Sequence, residues 1–385
     1  MIDALMNDRE IRRAAESARP GDEPVQTLAR AAWSVIAEPG DGVAGALIAQ
    51  LGAAEALRFG LSDESFGLAE KAVQDGRRRW MPRAHPRAVR DALRGAAEVG
   101  AQVLLPGDAD WPSAVDDLGD HAPTMLWVRG EASHLAATSR VAIVGARAAT
   151  AYGDSVAAEL AGDLAAGGTM VVSGGAYGID GSAHRASLGA GGATVAFLAG
   201  GVDRAYPAGH QQLFERIRSS GAVLSELPCG AAPTKFRFLA RNRLIAALGA
   251  ATVVVEAGWR SGSLNTAGHA SSLGRPLGAV PGPVTSAASA GCHRLMREYD
   301  AVCVTNAAEV REMLGIDAAP TADTDRTDPE QVRLLDALST RTAHPPVELA
   351  RLSGLSVERT RALLGTLSLE GTVKQEENGW RRART

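Results

Sequence analysis

A short basic segment, residues 234–249 with the sequence TKFRFLARNRLIAALG, interrupts a chain whose net charge is −4. No carboxylate occurs between Glu226 and Glu256, and Phe236 and Phe238 alternate with the first cations of the segment. The cations are Lys235, Arg237, Arg241 and Arg243. Cations interleaved with aromatic rings suit single-stranded nucleic acid, because the charges meet phosphates and the rings stack on bases. The pattern predicts a basic loop that leads into an apolar helix.

The two arginines of the apolar part have a second interpretation. Arg241 and Arg243 could pair with an internal acid, Glu226 or Glu256, instead of with phosphate. That interpretation does not extend to the two cations before them, so at least the start of the segment is expected to bind an external anion.

The elements that would position this segment are short apolar strands, each ending in a glycine-containing turn. They cover residues 141–145, 169–175, 193–201, 251–258 and 276–283, with helical segments between most of them. Strands that are apolar on both faces and alternate with helices predict a parallel sheet covered on both sides. Ligands of such sheets bind beyond the carboxyl ends of the strands. Each glycine either only permits a tight turn or also offers its N–H group to an anion. The glycine turns taken together, with Arg147, Arg204 and Arg260 among them, favour the binding of an anion.

Several ligand classes are disfavoured. The first turn, GARAATAYG, lacks the second glycine of the dinucleotide pattern, no acid ends the second strand, and no phosphate-binding loop of nucleotide triphosphatases occurs. The three cysteines have neither metal-ligand spacing nor a disulfide framework, which fits a reducing cytoplasm. No apolar run reaches membrane-spanning length. We therefore expect no cofactor, no metal and no membrane.

Two sets of residues could do acid–base chemistry. Asp180 and His184 lie four positions apart at a helix start, where they are either an acid/base pair or a helix cap and a packed histidine. Glu256 follows a buried strand and is either a general base or an acid that holds an arginine. No nucleophile with a neighbouring base is evident.

The organisation along the chain is predicted as follows. A flexible tail (1–24) precedes a small helical domain (25–105), a Rossmann-like α/β domain (106–315), a polar linker (316–328) and a winged-helix-like unit of three helices and a hairpin turning at Asn378-Gly379 (329–385).

At these residues the chain resembles the bacterial DNA-processing protein A family, also called DprA or Smf. The matching stretches, in family order, are VAIVGARAATAYG, VVSGGAYGIDGSAH, YP at 206–207, SELP at 225–228, ARNRLIAAL, VVVEAGWRSGSLNTAGHA and GRPLGAVPGP at 274–283. The resemblance implies an extended Rossmann core, an N-terminal domain like a SAM or helix-hairpin-helix domain, and a C-terminal winged helix. It also implies a homodimer that binds single-stranded DNA and loads RecA in transformation or recombination, overcoming single-strand-binding protein, without catalysis.

The resemblance also implies which residues hold the strand. Arg147 would contact phosphate, Lys235 and Phe238 would contact the strand, and Arg241, Asn242 and Arg243 would build or support the same pocket. The pocket would be lined by Gly145, Ser173, Gly174, Gly175, Ser261, Gly262 and Ser263. Tyr177 stands where the family usually has arginine, which removes a cation and offers a stacking surface.

Two other functions fit parts of the sequence. A nucleotide phosphoribohydrolase with a related core would need a glutamate after the threonine of a P-G-G-x-G-T-x-x-E motif, but RSGSLNTAG (260–268) has none. A duplex-binding regulator would act through the winged helix, yet residues 328–385 carry nine Arg/Lys and eight Asp/Glu, which allows few phosphate contacts.

Overall fold

The computed structural model of the 385-residue chain describes residues 1–21, 24–62, 70–136, 139–316, 329–369, 371–376 and 378–383. The chain forms two compact units, Met1–Asp317 and Ala318–Thr385. Most of the predicted linker (316–328) lies outside the described residues. Among the described helices none is both long and apolar enough to cross a membrane.

In its described residues the first unit begins with seven α-helices. They are α1 (Ile2–Asn7), α2 (Arg9–Ala18), α3 (Pro24–Ile36), α4 (Gly42–Leu51), α5 (Ala53–Gly60), α6 (Glu70–Trp80) and α7 (Pro86–Glu98). Trp33 of α3 and Trp80 of α6 are fully buried and meet edge to face, with ring centroids 5.1 Å apart. The same core includes Trp127 of the following sheet, so the helical part packs directly on the α/β part.

The expectation of a flexible tail over 1–24 is wrong for its first part, because α1 and α2 occupy residues 2–18. Ile2, Leu5 and Ile11 are buried in the helical core, and Asp8 caps α2 by accepting hydrogen bonds from the backbone N–H groups of Glu10 and Ile11. The charged residues that suggested a tail lie on the outer faces of these amphipathic helices.

A nine-stranded sheet forms the centre of the unit. Its strands are β1 (Gln102–Leu104), β2 (Leu126–Gly130), β3 (Arg140–Val144), β4 (Met170–Ser173), β5 (Thr194–Phe197), β6 (Ala222–Ser225), β7 (Ala251–Val254), β8 (Leu277–Ala279) and β9 (Val302–Cys303). Their spatial order is β1-β2-β6-β5-β4-β3-β7-β8-β9. The strands β3 to β9 run parallel, whereas β1 and β2 extend one edge in antiparallel pairing. The sheet thus begins at Gln102, slightly before the predicted domain boundary at 106.

Helices cover both faces of the sheet. They are α8 (Ala151–Ala166), α9 (Ile179–Gly189), α10 (Gln211–Ser220), α11 (Lys235–Leu248), α12 (Ser263–Ser272), α13 (Ala290–Glu298) and α14 (Ala307–Met313). Along β3, Val141 and Ile143 face the cluster that contains α8 and α9, while Ala142 and Val144 face the cluster that contains α11 and α12. This alternation gives the doubly covered parallel sheet that the apolar strands predicted.

The second unit contains three helices and a hairpin, α15 (Pro329–Ala337), α16 (Pro346–Ser353), α17 (Val357–Leu369), β10 (Val373–Glu376) and β11 (Gly379–Arg382). The hairpin is antiparallel, with Val373 opposite Arg382. The small core of this unit includes Leu334, Leu349 and Leu364, one from each helix. The predicted winged-helix order is confirmed.

Candidate nucleic-acid interface

The proposed site lies where the order of strands reverses. Strand β3 pairs with β4 on one side and with β7 on the other, so the turns after these strands open a crevice at the carboxyl edge of the sheet. Arg147 is exposed in the turn after β3, and Arg260 is exposed in the turn after β7. Helix α11 lies on one face of the sheet and brings the basic segment to this edge.

The basic segment is not a loop, as predicted, but the first turns of α11. The helix begins at Lys235, and the Thr234 hydroxyl caps it by accepting a hydrogen bond from the Arg237 N–H at 3.3 Å. The first turn contains no acid, so the unpaired N–H groups and the helix dipole favour an anion there. Lys235 is exposed and forms no ion pair within the described part of the chain. Its ammonium group therefore adds to the positive potential of this turn.

A stack of cationic and aromatic side chains connects the start of α11 to the turn after β3. The Arg147 guanidinium lies over the Phe238 ring, 4.5 Å from its centroid. On the same ring, Tyr206 packs at a centroid distance of 5.4 Å and remains 48% exposed. An exposed guanidinium held over a ring can pair with phosphate while the neighbouring ring offers a stacking face.

Arg241 supports this stack from the buried side. It is buried, and its Nη1 donates a hydrogen bond to the Gly174 carbonyl at 2.8 Å and another to the Phe197 carbonyl. Burial lowers the pKa of Arg241 to about 10, while the nearby Asp180 carboxylate opposes that shift. Its guanidinium also lies 5.9 Å from the centre of the Phe238 ring. Arg241 thus ties the ends of β4 and β5 to α11 and does not reach the surface.

The glycines after β4 leave room for buried side chains. A Cβ on Gly174 would come within 2.4 Å of the Arg241 guanidinium, and one on Gly175 within 2.4 Å of the Phe214 ring. Gly175 also has φ +65°, a conformation that glycine adopts without strain. These glycines shape the turn from inside, so their predicted role as lining of a pocket rests on backbone groups alone.

Arg243 is a structural residue. Its Nη2 lies 2.9 Å and 2.8 Å from the two carboxylate oxygens of Glu226, and its Nε donates to the His121 carbonyl at 3.0 Å. Both side chains of the ion pair are buried. Of the two acids considered from the sequence, Glu226 is the partner, and Arg243 supports the interface without facing it.

Arg237 also has an internal partner, contrary to the expectation that internal acids would not account for it. Its Nε and Nη2 donate to the two oxygens of Glu38, each at 3.0 Å. This bidentate ion pair links α11 to the helical part of the unit. Burial opposes ionisation of Glu38, but the pairs with Arg237 and Arg83 outweigh it and lower the pKa of this carboxyl. Of the cations in the basic segment, only Lys235 is left facing outward without a pair in the described residues.

The turn after β7 is held by Asn242. Its side-chain amide donates hydrogen bonds of 3.3 Å to the Gly262 carbonyl and to the Asn265 side chain. Within the turn, the hydroxyls of Ser261 and Ser263 lie 2.7 Å apart. Because Ser263 begins α12, this turn presents a second helix start close to α11.

Two predicted lining residues are enclosed. The Ser173 side chain is buried and its hydroxyl donates to the Ile143 carbonyl at 2.6 Å, which joins β4 to β3. Gly145 is half-buried, and a Cβ there would come within 2.6 Å of Ile179. Both keep the turns close together, and neither offers a side chain to a ligand.

The acid–base candidates have separate partners. The Asp180 carboxylate accepts hydrogen bonds from the N–H groups of Gly174 and Ala176, at 3.1 and 3.4 Å, and burial raises its pKa. His184 Nδ1 lies 2.8 Å from the Thr194 hydroxyl, and burial lowers its pKa to about 3. The two residues therefore serve local hydrogen bonding.

Glu256 holds a helix start, not an arginine. Its carboxylate accepts hydrogen bonds from the Thr150 N–H at 2.9 Å and from the Thr150 hydroxyl at 2.6 Å, just before α8. A Cβ on Gly153 would come within 2.3 Å of this carboxylate. No cluster of three or more potential metal ligands occurs among the residues that the structure describes.

Sequence reasoning offered Tyr177 as a stacking surface but gave no separate role to Tyr206 or Glu38. Tyr177 is 50% exposed and contacts His210 edge to face at 4.8 Å, which fixes its ring beside the turn after β4. Tyr206 belongs to the YP motif at 206–207, which the sequence analysis used only as part of the family resemblance. Glu38 gave no signal, because its partner Arg237 lies far along the chain.

The fold and this surface define a Rossmann-like protein with a basic and aromatic edge at the carboxyl ends of its strands. The family model described as DNA recombination-mediator protein A matches residues 102–315, and that of the DprA winged helix domain matches residues 318–379. The chain belongs to this family, whose members are named DprA or Smf.

Individual relatives agree with the family assignment. The putative DNA processing protein DprA of Mycobacterium tuberculosis is 43% identical over 330 residues, which cover 81% of this chain and 83% of the relative. The X-ray structure of DprA from Streptococcus pneumoniae superposes with a TM-score of 0.61 at 28% identity, covering 74% of this chain and 96% of that one. The structure of DNA processing protein A from Helicobacter pylori, described for its unique single-stranded DNA binding mode, has a TM-score of 0.51 at 31% identity and covers 56% and 95%.

Proposed function

We propose that this protein binds single-stranded DNA along the carboxyl edge of its sheet, with little sequence preference. The observation that carries the proposal is the Arg147–Phe238–Tyr206 stack beside the acid-free first turn of α11. Flexible single strands can place a phosphate on the guanidinium and a base on the ring at once, whereas paired bases in a duplex keep their faces stacked. The single-stranded DNA binding mode described for the Helicobacter pylori relative supports this assignment.

The test is a titration of the purified protein with single-stranded and duplex DNA of equal length at two salt concentrations. Fluorescence anisotropy of the labelled DNA is the readout. We expect tighter binding to the single strand and a steep loss of affinity with salt, because bound cations displace condensed counterions from the strand. Equal affinity for duplex and single strand would contradict the proposal.

The finer role rests on family membership. We propose that the protein works without catalysis, in the cytoplasm, as a homodimer that loads RecA onto strands held by single-strand-binding protein during transformation or recombination. The separate hydrogen-bond partners of Asp180 and His184 support a binding role over an enzymatic one. RecA filament growth on a strand coated with single-strand-binding protein tests the loading role. Growth should be faster with this protein present, and an unchanged rate would argue against it.

A further inference from the structure

A second acid-free basic segment lies in the helical part of the first unit. Between Asp75 and Asp91 the chain has six arginines and no carboxylate. They are Arg77, Arg78, Arg79, Arg83, Arg87 and Arg90. The segment runs from the last turn of α6 through a short turn, Met81–Arg83, into the first turn of α7. In a chain of net charge −4 this is a strong local concentration of positive charge.

Most of these arginines point outward. Arg78, Arg79, Arg83 and Arg87 are exposed. Arg78 pairs with Asp75 at 3.1 Å, and in this pair the arginine side chain is 77% exposed. Arg87 has no ion pair within the described part of the chain. Exposed ion pairs contribute little, so a polyanion can compete for these guanidinium groups.

The arginine segment meets the proposed DNA-binding helix at Glu38. Arg83 Nη1 lies 2.7 Å from one Glu38 oxygen, and Arg237 of α11 donates to both oxygens of the same carboxylate. Arg237 lies in the same helical turn as Lys235. The single carboxylate therefore places a cation of the arginine segment directly beside the first turn of α11.

The loop that contains Glu38 has further contacts on both sides. Asp41, at its other end, pairs with Arg79 at 3.0 Å. Between them, Gly40 packs against Arg243 of α11, since a Cβ on Gly40 would lie 3.0 Å from the Arg243 Nε. The loop is thus fixed between α11 and the arginine segment, and the two basic surfaces adjoin across it.

We propose that the path of the single strand continues from the first turn of α11 across this loop onto the arginine segment, which binds phosphates of the same strand. This inference rests on the proposed function. Among residues 77–90, Trp80 is fully buried and His85 is an exposed ring among four exposed arginines, so this part of the path offers mainly charge. It contributes affinity that depends on strand length and not on base sequence.

The test compares a short strand with a long one. Oligothymidylates of about 6 and about 30 nucleotides are titrated at about 50 and about 200 mM salt, the shorter being within the range that one compact site holds. The variant is Arg78→Ala/Arg87→Ala. The matched control is Arg216→Ala/Arg218→Ala on α10, which packs on the opposite face of the sheet from α11. Arg218 pairs with Glu215 three positions away, as Arg78 does with Asp75, so both variants remove equal charge and one such pair.

We expect Arg78→Ala/Arg87→Ala to bind the long strand on the order of tenfold more weakly, with the salt slope reduced by about 1.4, because two single-strand phosphate contacts are lost. Its affinity for the short strand and its melting temperature should equal those of the control. Equal binding of the long strand by variant and control would overturn the inference while leaving the proposed site on α11 intact. Failure of the wild-type protein to bind either strand would overturn the proposed function itself.

Discussion

Arg243 and Lys235 lie on the same helix, and their surroundings give them different roles. Arg243 is buried against Glu226, whereas Lys235 is exposed at the helix start. We expect Arg243→Ala to lower the free energy of unfolding by about 3–5 kcal/mol, because the Glu226 carboxylate would remain buried without its partner. Urea denaturation measures this loss.

The double variant Arg243→Ala/Glu226→Ala is the control for that prediction. It removes the buried charge together with its partner, so it should recover part of the stability that the single variant loses. A single variant as stable as the wild type would show that the pair is solvated, and the structural role assigned to Arg243 would be wrong.

The buried His184 should make the stability of the folded protein sensitive to acid. The Thr194 hydroxyl donates to the Val171 carbonyl, so its oxygen accepts from His184 Nδ1–H and leaves Nε2 as the buried site of protonation. Burial lowers the pKa of His184 from 6.5 to about 3. Between these values the unfolded chain binds a proton that the folded chain does not, so stability falls as the pH falls, by up to about 1.4 kcal/mol per pH unit.

His184→Asn isolates this contribution, because an asparagine amide can still donate to Thr194. We expect the variant to be less stable at pH 7, since it leaves a void, but to lose less stability than the wild type between pH 6.5 and pH 4. Thermal unfolding over this range is the measurement. Parallel pH profiles for both proteins would mean that His184 does not titrate in this way.

At the scale of elements, α11 shows what the sequence predicts and what it does not. The acid-free basic segment and the helix after it were evident, and the apolar strands that frame it were placed correctly at β3, β4, β5, β7 and β8. The helix start was misplaced because its first turns, with Phe236 57% and Leu239 40% exposed, have no apolar stripe. The Thr234 cap was the signal that marks the start.

The remaining strands were hidden for a different reason. Strand β6 is as long as β4, β5 and β7, so length did not hide it, and β2 begins shortly after Pro123. Each is recognisable through its pairing, Trp127 of β2 with Ser225 of β6, which is a contact between distant segments. The same limit applies to the side chains of the site. The acceptors of Arg241 are carbonyls at the ends of two other strands, which no local pattern reveals.

The whole molecule combines a compact first unit, which holds the proposed interface, with a separate winged-helix unit. A homodimer would give a long strand two linked sites and thereby raise its avidity. We expect light scattering at micromolar concentration to give twice the mass of the 39.8 kDa chain. A monomeric mass at that concentration would contradict the proposed assembly.

The central claim is that the strand is held where Lys235 of α11 and the Arg147–Phe238 stack meet. The most direct measurement is the salt dependence of single-strand affinity for the variant Lys235→Ala/Arg147→Ala beside the control Arg216→Ala/Arg218→Ala, with melting temperatures for both. We predict an unchanged melting temperature, because both residues are exposed. We also predict weaker binding with a salt slope reduced by about 1.4, since each single-strand phosphate contact contributes about 0.7. Binding and slope equal to the control would show that this basic surface is only solvated and that the strand binds elsewhere.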